Sequence, residues 1–119
     1  MKPKFFESRE HRAAFQRKIE QWHCENDPER FAALYILLSD PNIRDNQEFI
    51  LLDELRIIDA DSTYEDSWIT AADRDLMSIA MSCYNGKHLF SARQLMNDYS
   101  AYALEGLRLL AESCSPEHD

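Results

Sequence analysis

The sequence predicts an all-α fold, a compact bundle of four to five helices, and three observations favour this class. The chain of 119 residues has only two glycines and four prolines, too few for the turn that a β-sandwich or barrel needs about every ten residues. Apolar residues recur at intervals of three and four along several stretches. Ser, Asp or Thr, which commonly cap helix N-termini, come directly before several of these stretches.

The length of the chain fits one domain. A chain of 119 residues can bury a single core of useful size without a structural metal or a disulfide. We therefore expect one helical domain over residues 1–119. The ends of the chain, residues 1–7 and 114–119, are expected to be flexible.

The first two helices are marked by their caps and their apolar residues. Ser8 is a predicted N-cap. Three apolar residues then repeat at intervals of four and three on one helix face: Phe15, Ile19 and Trp22. The second helix is predicted to begin with Asp27 as N-cap and Pro28 at its first position. Its residues 31–38 are apolar on almost every side, so this helix is expected to lie centrally.

A second Asp-Pro pair, Asp40-Pro41, repeats this device and leads into a third helical stretch. We expect a helix over residues 47–58. Its inward-facing residues would be Phe49, Ile50, Leu52 and Leu55. Ile57 and Ile58 are β-branched and suit extended backbone equally well, so the end of this stretch is alternatively a short strand.

Residues 68–86 carry the strongest helix pattern in the chain. Thr70 is a predicted N-cap with Asp73 three residues later, a variant of the capping box. The apolar stripe that follows has helical spacing throughout: Leu76, Met77, Ile79, Ala80, Cys83 and Tyr84. Asn85-Gly86 is expected to end the helix, because either residue adopts the left-handed conformation at low cost.

The last third of the chain is also predicted to be helical, with a break near residues 97–98. The buried face of the terminal helix is expected to consist of Tyr99, Tyr102, Ala103, Leu107, Leu110 and Ala111. Gly106 lies on the same face. Since glycine costs a helix about 1 kcal/mol relative to alanine, we interpret Gly106 as room for the close approach of a neighbouring helix.

The negative charge is concentrated in residues 40–75, which we call the acidic segment. The chain has a net charge of −9 at pH 7, and this segment holds eleven Asp and Glu against three Lys and Arg. Such a chain repels phosphate, so direct binding to nucleic acid or to an anionic membrane is not expected. A basic protein partner is favoured instead. The alternative is that the acids only solvate a loop and one helix face.

The remaining composition favours a cytoplasmic protein. The three cysteines, Cys24, Cys83 and Cys114, form no CxxC pair and are odd in number, which is typical of free thiols in a reducing compartment. No basic-then-apolar leader opens the chain. The longest apolar run, residues 31–38, is too short to span a bilayer.

Motifs for catalysis or metal binding are absent from the sequence. His23-Cys24 is an isolated pair with no second pair at a zinc-like spacing. Asp59-x-Asp61 resembles the start of a calcium loop, but Tyr64 and Thr70 stand where that loop needs Gly and Glu. Glycine-rich phosphate loops, GxSxG and HExxH do not occur. We therefore expect no enzyme activity, no catalytic residue, no metal and no cofactor.

Two alternatives to a protein-binding role stay open. One is an enzyme or small-ligand binder with a pocket between the helices near His11, Cys83 and Tyr84. Cys83 lies on the apolar stripe, however, which is typical of a structural cysteine. The other is a homodimer joined through apolar helix faces.

A block of residues resembles a known but uncharacterised family. Trp68, Thr70 and the Tyr84-Asn85-Gly86 sequence resemble the Trp-x-Thr and aromatic-Asn-Gly block of a domain of unknown function in small proteins of Firmicutes and their mobile elements. The resemblance extends over residues 5–112. Residues 71–73 depart from it, since Ala, Ala and Asp replace the small polar residues expected there. The resemblance implies a mobile-element setting and no activity.

The leading hypothesis is a non-enzymatic module that docks on a basic protein. Mobile elements encode small acidic proteins that inhibit nucleic-acid-handling host proteins, including immunity factors, and the resemblance implies this setting. Acidic side chains would take the place of phosphates, with aromatic side chains as anchors. The predicted partner-binding residues are Asp59, Asp61, Tyr64, Glu65, Asp66 and Trp68.

Overall fold

One central helix organises the fold. The computed structural model describes residues 2–53, 56–57, 69–85 and 90–113. Within these ranges the helices are α1 (Arg9–Trp22), α2 (Pro28–Leu38), α3 (Pro41–Asp45), α4 (Gln47–Ile50), α5 (Ala71–Asn85) and α6 (Ser100–Ser113), with a 3-10 turn at Ala92–Leu95. Four of these helices have eleven or more residues. The predicted all-α bundle is confirmed.

Helix α2 lies at the centre, as its apolar sequence predicts. Every residue from 31 to 38 is buried, and α2 packs against α1, α5 and α6. A helix that is apolar all round is stable only where other elements cover each of its sides. Since α2 is the element that touches all three other long helices, its sequence determines where they pack.

The predicted helix starts are confirmed by hydrogen bonds from backbone N–H groups to side-chain oxygens. Each such bond satisfies one of the N–H groups that a helix leaves unpaired at its start. The pairs are His11 N to Ser8 Oγ at 3.0 Å, Arg30 N to Asp27 Oδ1 at 3.2 Å, Asn42 N to Asp40 Oδ1 at 2.9 Å and Asp73 N to Thr70 Oγ1 at 3.1 Å. Local sequence therefore fixes where α1, α2, α3 and α5 begin.

The predicted helix over residues 47–58 is confirmed for residues 47–50 and wrong at residues 51–53 and 56–57, while residues 54, 55 and 58 lie outside the described residues. Helix α4 ends at Ile50, and the backbone is extended in β1 (Leu51–Asp53) and β2 (Arg56–Ile57). The two strands pair antiparallel, with Leu51 opposite Ile57 and Asp53 opposite Arg56. Apolar runs of this length suit a helix or a strand, and strand pairing decides between them here. The alternative of an extended piece at Ile57 is confirmed.

The buried stripe of α5 is confirmed, whereas that of α6 is only partly right. Tyr99, Tyr102, Leu107 and Leu110 pack against the core and Ala103 is buried, as predicted. Ala111 is exposed, and Glu105 and Leu109 are buried instead. The N-terminal segment, residues 2–7, lies along α6 and covers Glu105, which shifts the buried face. The spacing of apolar residues along α6 does not show that the N-terminal segment also covers this helix.

The N-terminal segment is tied to α2 and α6. The backbone N–H of Lys4 donates to Glu105 Oε2 at 2.7 Å, and the Tyr35 hydroxyl donates to the Phe5 carbonyl at 2.6 Å. The flexibility expected of residues 1–7 stays a prediction. None of the described helices combines the length and the apolar character that crossing a bilayer requires.

Candidate functional site

The six predicted partner-binding residues lie in the acidic segment and outside the described residues. They are Asp59, Asp61, Tyr64, Glu65, Asp66 and Trp68. The parts of the segment that are described include its two ends, at α3 and at the start of α5. These ends show how the segment is held on the bundle.

Asp40 caps α3 from an enclosed position. The residue is 1% exposed, and its Oδ1 accepts the hydrogen bond from Asn42 N at 2.9 Å. Its Oδ2 is buried and receives no hydrogen bond from a described donor. A buried acceptor left without a donor costs about 1–3 kcal/mol, so an ionised Asp40 is unfavourable here.

Asp73 closes the capping box of α5 and reaches the start of α3. It is 2% exposed. Its Oδ2 accepts hydrogen bonds from Thr70 N at 2.8 Å and from Asn42 Nδ2 at 2.5 Å. Three donors therefore surround its charge once Asp40 is protonated, and a carboxylate with several donors is stable in its ionised form.

Asp40 and Asp73 shift each other's pKa in opposite directions. Burial, followed by the hydrogen bond to Asp73 and its negative charge, raises the pKa of Asp40 to about 7. Burial also acts to raise the pKa of Asp73, but hydrogen bonds with Asp40, Thr70 and Asn42 outweigh burial and lower it. Asp40 is therefore the carboxylic acid that donates to an ionised Asp73, and the two titrate as a pair.

The pair joins the two ends of the acidic segment. We call Asp40, Asn42, Thr70 and Asp73 the carboxyl stem. Its polar contacts run between the first turn of α3 and the first turn of α5, so the starts of these two helices are held together at one place. Burial, and then the charges of Asp40 and Asp73, raise the pKa of Tyr99.

The stem also changes the charge that a partner would meet. Asp40 and Asp73 are two of the eleven acids of the segment, and both are buried. By contrast, Asp45 and Glu48 are exposed beside the stem. Counting charges along the sequence therefore overstates the surface charge of this region.

The family model of DUF6075, described as a family of unknown function, matches residues 1–110. This chain belongs to the DUF6075 family. The predicted resemblance to an uncharacterised family is confirmed at this level, and the matched region includes the whole carboxyl stem. No significant match was found among curated proteins or among solved structures.

His11 of this DUF6075 chain has a structural role in the core. It is fully buried, its Nε2 lies 2.9 Å from the Tyr35 carbonyl oxygen, and its Nδ1 accepts from Glu7 N at 3.0 Å. Nε2 must therefore carry the hydrogen. Burial lowers the pKa of His11 to about 4. With both ring nitrogens occupied in a neutral ring, His11 has no lone pair left for proton transfer to a ligand.

Tyr84, with Cys83 next to it in α5, packs against a different part of α2 from His11. The Arg30 guanidinium stacks 5.2 Å from the centre of the Tyr84 ring, whereas His11 packs on Tyr35 with ring centres 4.8 Å apart. None of the four clefts found among the described residues is lined by His11, Cys83 or Tyr84. A shared pocket near these three residues stays a prediction.

The described cysteines are buried. Cys24 is 3% exposed and Cys83 is 2% exposed. Burial, helped by nearby acids, raises the pKa of Cys24 to about 11 and that of Cys83 to about 12. His23, next to Cys24, is exposed, so the two side chains of this pair have different environments. The reactive thiolate is therefore scarce at both positions.

We expect Cys24 and Cys83 to react with iodoacetamide at least about a hundredfold more slowly in the native DUF6075 protein than in urea, because only the exposed thiolate reacts. Peptide mass spectrometry after timed labelling at pH 8 measures each cysteine separately. The unfolded protein supplies the reference rate for the same peptides. Rapid labelling of Cys83 in the folded protein would instead indicate an open pocket at α5.

The two ends of the carboxyl stem can be predicted from the sequence, but the contact between them cannot. Asp40 and the Thr70-Asp73 box were each predicted as helix caps, and both predictions are confirmed. Their contact brings together residues 33 positions apart (40 and 73), which no local pattern encodes. The available signal was the presence of two acidic caps at the ends of a strongly acidic segment.

Proposed function

We propose that this DUF6075 protein is a non-enzymatic module that docks on a basic partner protein through its acidic segment. The observation that carries the proposal is the concentration of charge: residues 40–75 hold eleven of the 22 Asp and Glu residues, two of them buried (Asp40 and Asp73), but only three of the 13 Lys and Arg residues. A field of one sign speeds and orients association with a surface of the opposite sign.

The carboxyl stem supports this proposal. It fixes both ends of the acidic segment on α3 and α5, two helices that pack against the central α2. Restricting the ends reduces the conformational entropy that the segment loses when it binds. The exposed carboxylates of Asp45 and Glu48 beside the stem extend the negative surface.

The side chains of His11, Cys24 and Cys83, which could have taken part in catalysis, are buried in the core. His11 has both nitrogens hydrogen-bonded, and Cys24 and Cys83 are buried thiols. Among the described residues, no three His, Cys, Asp or Glu side chains come together as a potential metal site. A binding role makes no demand on these groups, whereas catalysis would require at least one of them to reach a ligand.

In the proposed complex, Asp59, Asp61, Glu65 and Asp66 occupy a groove lined by Lys and Arg, and Tyr64 and Trp68 anchor the contact. The carboxylates take the place of phosphates, which makes a nucleic-acid channel the best-fitting partner surface. The finer proposal is an inhibitor, encoded by a mobile element, of a nucleic-acid-handling protein such as a bacterial immunity factor. It acts in the cytoplasm.

The test is affinity capture from a host lysate with two charge variants of the whole chain. One variant neutralises the acidic segment: D59N, D61N, E65Q and D66N. The matched control neutralises four exposed acids elsewhere: E10Q, E29Q, D98N and E112Q. We expect a basic partner to be retained by the wild type and the control and to be lost by the first variant. The purified partner is then titrated with Trp68→Ala, for which we expect about a 30-fold weaker Kd.

Ionic strength provides the second readout. Raising the salt from about 0.1 M to about 0.5 M shortens the range of exposed charge interactions roughly twofold, so the complex with the partner should weaken strongly. The partner's own binding of nucleic acid should be lost in the complex. A captured partner that is acidic, or one that binds both charge variants equally well, would contradict the proposal.

A further inference from the structure

Two adjoining clefts flank the N-terminal segment. Several cations line them, unlike the acidic segment, in which carboxylates predominate. One, of about 470 Å³, lies between this segment, α1 and the start of α2. The other, of about 430 Å³, lies between the segment and the first turns of α1. Four residues line both clefts: Lys2, Pro3, Phe6 and Arg12. We call the two clefts together the N-terminal groove.

The floor of the larger cleft is aromatic and firmly packed. Phe15 and Phe31 meet edge to face with ring centres 4.9 Å apart, and Phe6 lies 5.9 Å from Phe15. Phe15 and Phe31 belong to the buried core, whereas Phe6 is half-buried. In the smaller cleft Phe5 is 42% exposed. A floor built on two helices is a preformed apolar surface that needs no ordering on binding.

The wall made by the N-terminal segment is held in place. Arg108 Nη2 donates to the Lys2 carbonyl at 3.2 Å, and Lys4 N donates to Glu105 Oε2 at 2.7 Å. Arg108 and Glu105 are themselves paired at 2.7 Å. The groove therefore exists before any ligand arrives.

The rim of the groove is basic in a chain that is acidic overall. Lys2, Lys4, Arg9 and Arg12 are all exposed and line one or both clefts. Within the described ranges none of their side chains has a carboxylate within salt-bridge distance. Other cations do have partners: Arg30 pairs with Asp27, Arg44 with Glu7, and Arg108 with Glu105 and Glu112. These four cations outnumber the two acids, Glu20 and Glu25, that also line the groove, so they make a local positive field beside an apolar floor.

We propose that the N-terminal groove binds an acidic peptide segment that carries one aromatic or large aliphatic anchor. The anchor packs on Phe6, and the carboxylates of the peptide pair with Arg9 and Arg12. This surface is separate from the acidic segment and has the opposite charge. The protein thus has two docking surfaces that recognise different chemistry.

The surroundings of the groove favour a peptide over a larger polyanion. Glu20 and Glu25 border the larger cleft, and Glu10 lies exposed on α1. A nucleic acid or an anionic membrane would extend past the basic rim onto these acids and onto a surface with net charge −9, which repels it. A small molecule is usually enclosed by its site, whereas these clefts are open along one side. A short peptide matches the limited length of the positive rim.

The test is fluorescence anisotropy of the full chain with a labelled twelve-residue peptide that contains four Asp or Glu residues around one Trp. The groove variant is R9Q/R12Q, and the matched control is R17Q/R93Q, which removes two exposed cations elsewhere. We expect the groove variant to weaken binding by about fivefold or more and the control to stay within about twofold of the wild type. Replacing the peptide Trp by Ser should also weaken binding by about tenfold.

Three results would overturn the assignment. The first is equal affinity of the wild type and R9Q/R12Q for the peptide. The second is tighter binding of a single-stranded oligonucleotide or an anionic vesicle that depends on Arg9 and Arg12. The third is closure of the groove by a second copy of the chain in sedimentation experiments. The variant D59N/D61N/E65Q/D66N must bind the peptide like the wild type. This last measurement separates the groove from the acidic segment, so that either proposal can fail alone.

Discussion

Replacing Asp40 by asparagine is expected to make the protein more stable than the wild type at pH 8, by a few kcal/mol at about 1.4 kcal/mol for each unit of pKa shift. The asparagine keeps both contacts of the protonated acid. Its Oδ1 accepts from Asn42 N and its Nδ2 donates to Asp73. Unlike Asp40, it never carries a buried negative charge.

The direction of the pKa shift of Asp40 determines that the substitution stabilises the protein at high pH. The pKa of Asp40 is raised from 3.8 to about 7 in the folded protein, so the folded state holds a proton that the unfolded state has released. The stability that depends on this proton is complete below pH 3.8 and is lost as the pH rises through about 7. The advantage of Asp40→Asn should therefore grow between pH 4 and pH 7 and level off above.

His11 opposes Asp40 over part of this range. Its pKa is lowered from 6.5 to about 4 by burial, so its contribution to stability is lost as the pH falls from 6.5 towards 4. The two effects nearly cancel in the wild type, which we expect to have a flat profile there. In Asp40→Asn only the pH dependence due to His11 should remain, so the free energy of unfolding should rise from pH 4 to pH 6.5.

The measurement is urea unfolding followed by circular dichroism between pH 4 and pH 8. The matched control is Asp45→Asn, which removes an exposed carboxylate from the same helix, α3. Its profile should run parallel to that of the wild type. A constant difference between Asp40→Asn and the wild type at every pH would show that no buried proton is held at the stem.

Replacing Gly106 by alanine is expected to destabilise the protein, although alanine favours a helix by about 1 kcal/mol. A Cβ at this position would lie 2.5 Å from Ile36 Cδ1, still closer to Ile36 Cγ1, and 3.4 Å from the Ala32 carbonyl oxygen. Ile36 is fully buried in α2 and has little room to move. Overpacking of this kind costs about 1–3 kcal/mol, which outweighs the gain in helix propensity.

A double-mutant cycle measures this contact directly. Ile36→Ala alone should cost about 2–5 kcal/mol, but its cost should be smaller in the Gly106→Ala background because the new methyl fills part of the space. The coupling free energy is expected to be about 1–3 kcal/mol. Ala13→Gly, at an exposed position of α1, serves as the control for propensity alone. Additive effects of Gly106→Ala and Ile36→Ala would rule out the close contact of α2 and α6.

Local chemistry made most helix starts predictable. Ser8, Asp27, Asp40 and Thr70 cap their helices within three residues of the N–H groups that they satisfy. Such interactions depend on neighbouring residues, so the sequence contains all the information that they need. The same holds for Gly106, whose place on the buried face of α6 already indicated a close helix approach.

The secondary structure of residues 47–58 was harder to predict, because an apolar run without a strong cap suits either a helix or a strand. Pairing of Leu51–Asp53 with Arg56–Ile57 adds backbone hydrogen bonds that the sequence pattern does not count. The error on α6 has a similar source. The N-terminal segment covers Glu105 of α6, a contact that the spacing of residues along the helix does not show.

The sequence alone determined the all-α class, the starts of the long helices, the central position of α2 and the concentration of negative charge in residues 40–75. Only the tertiary structure brought the buried side chains of Asp40 and Asp73 to one place and set the N-terminal segment beside Phe15 and Phe31 to form a groove. Helix periods and caps are interactions between neighbours in the chain. The carboxyl stem and the groove instead depend on distances between residues far apart in sequence, which are set when the helices pack.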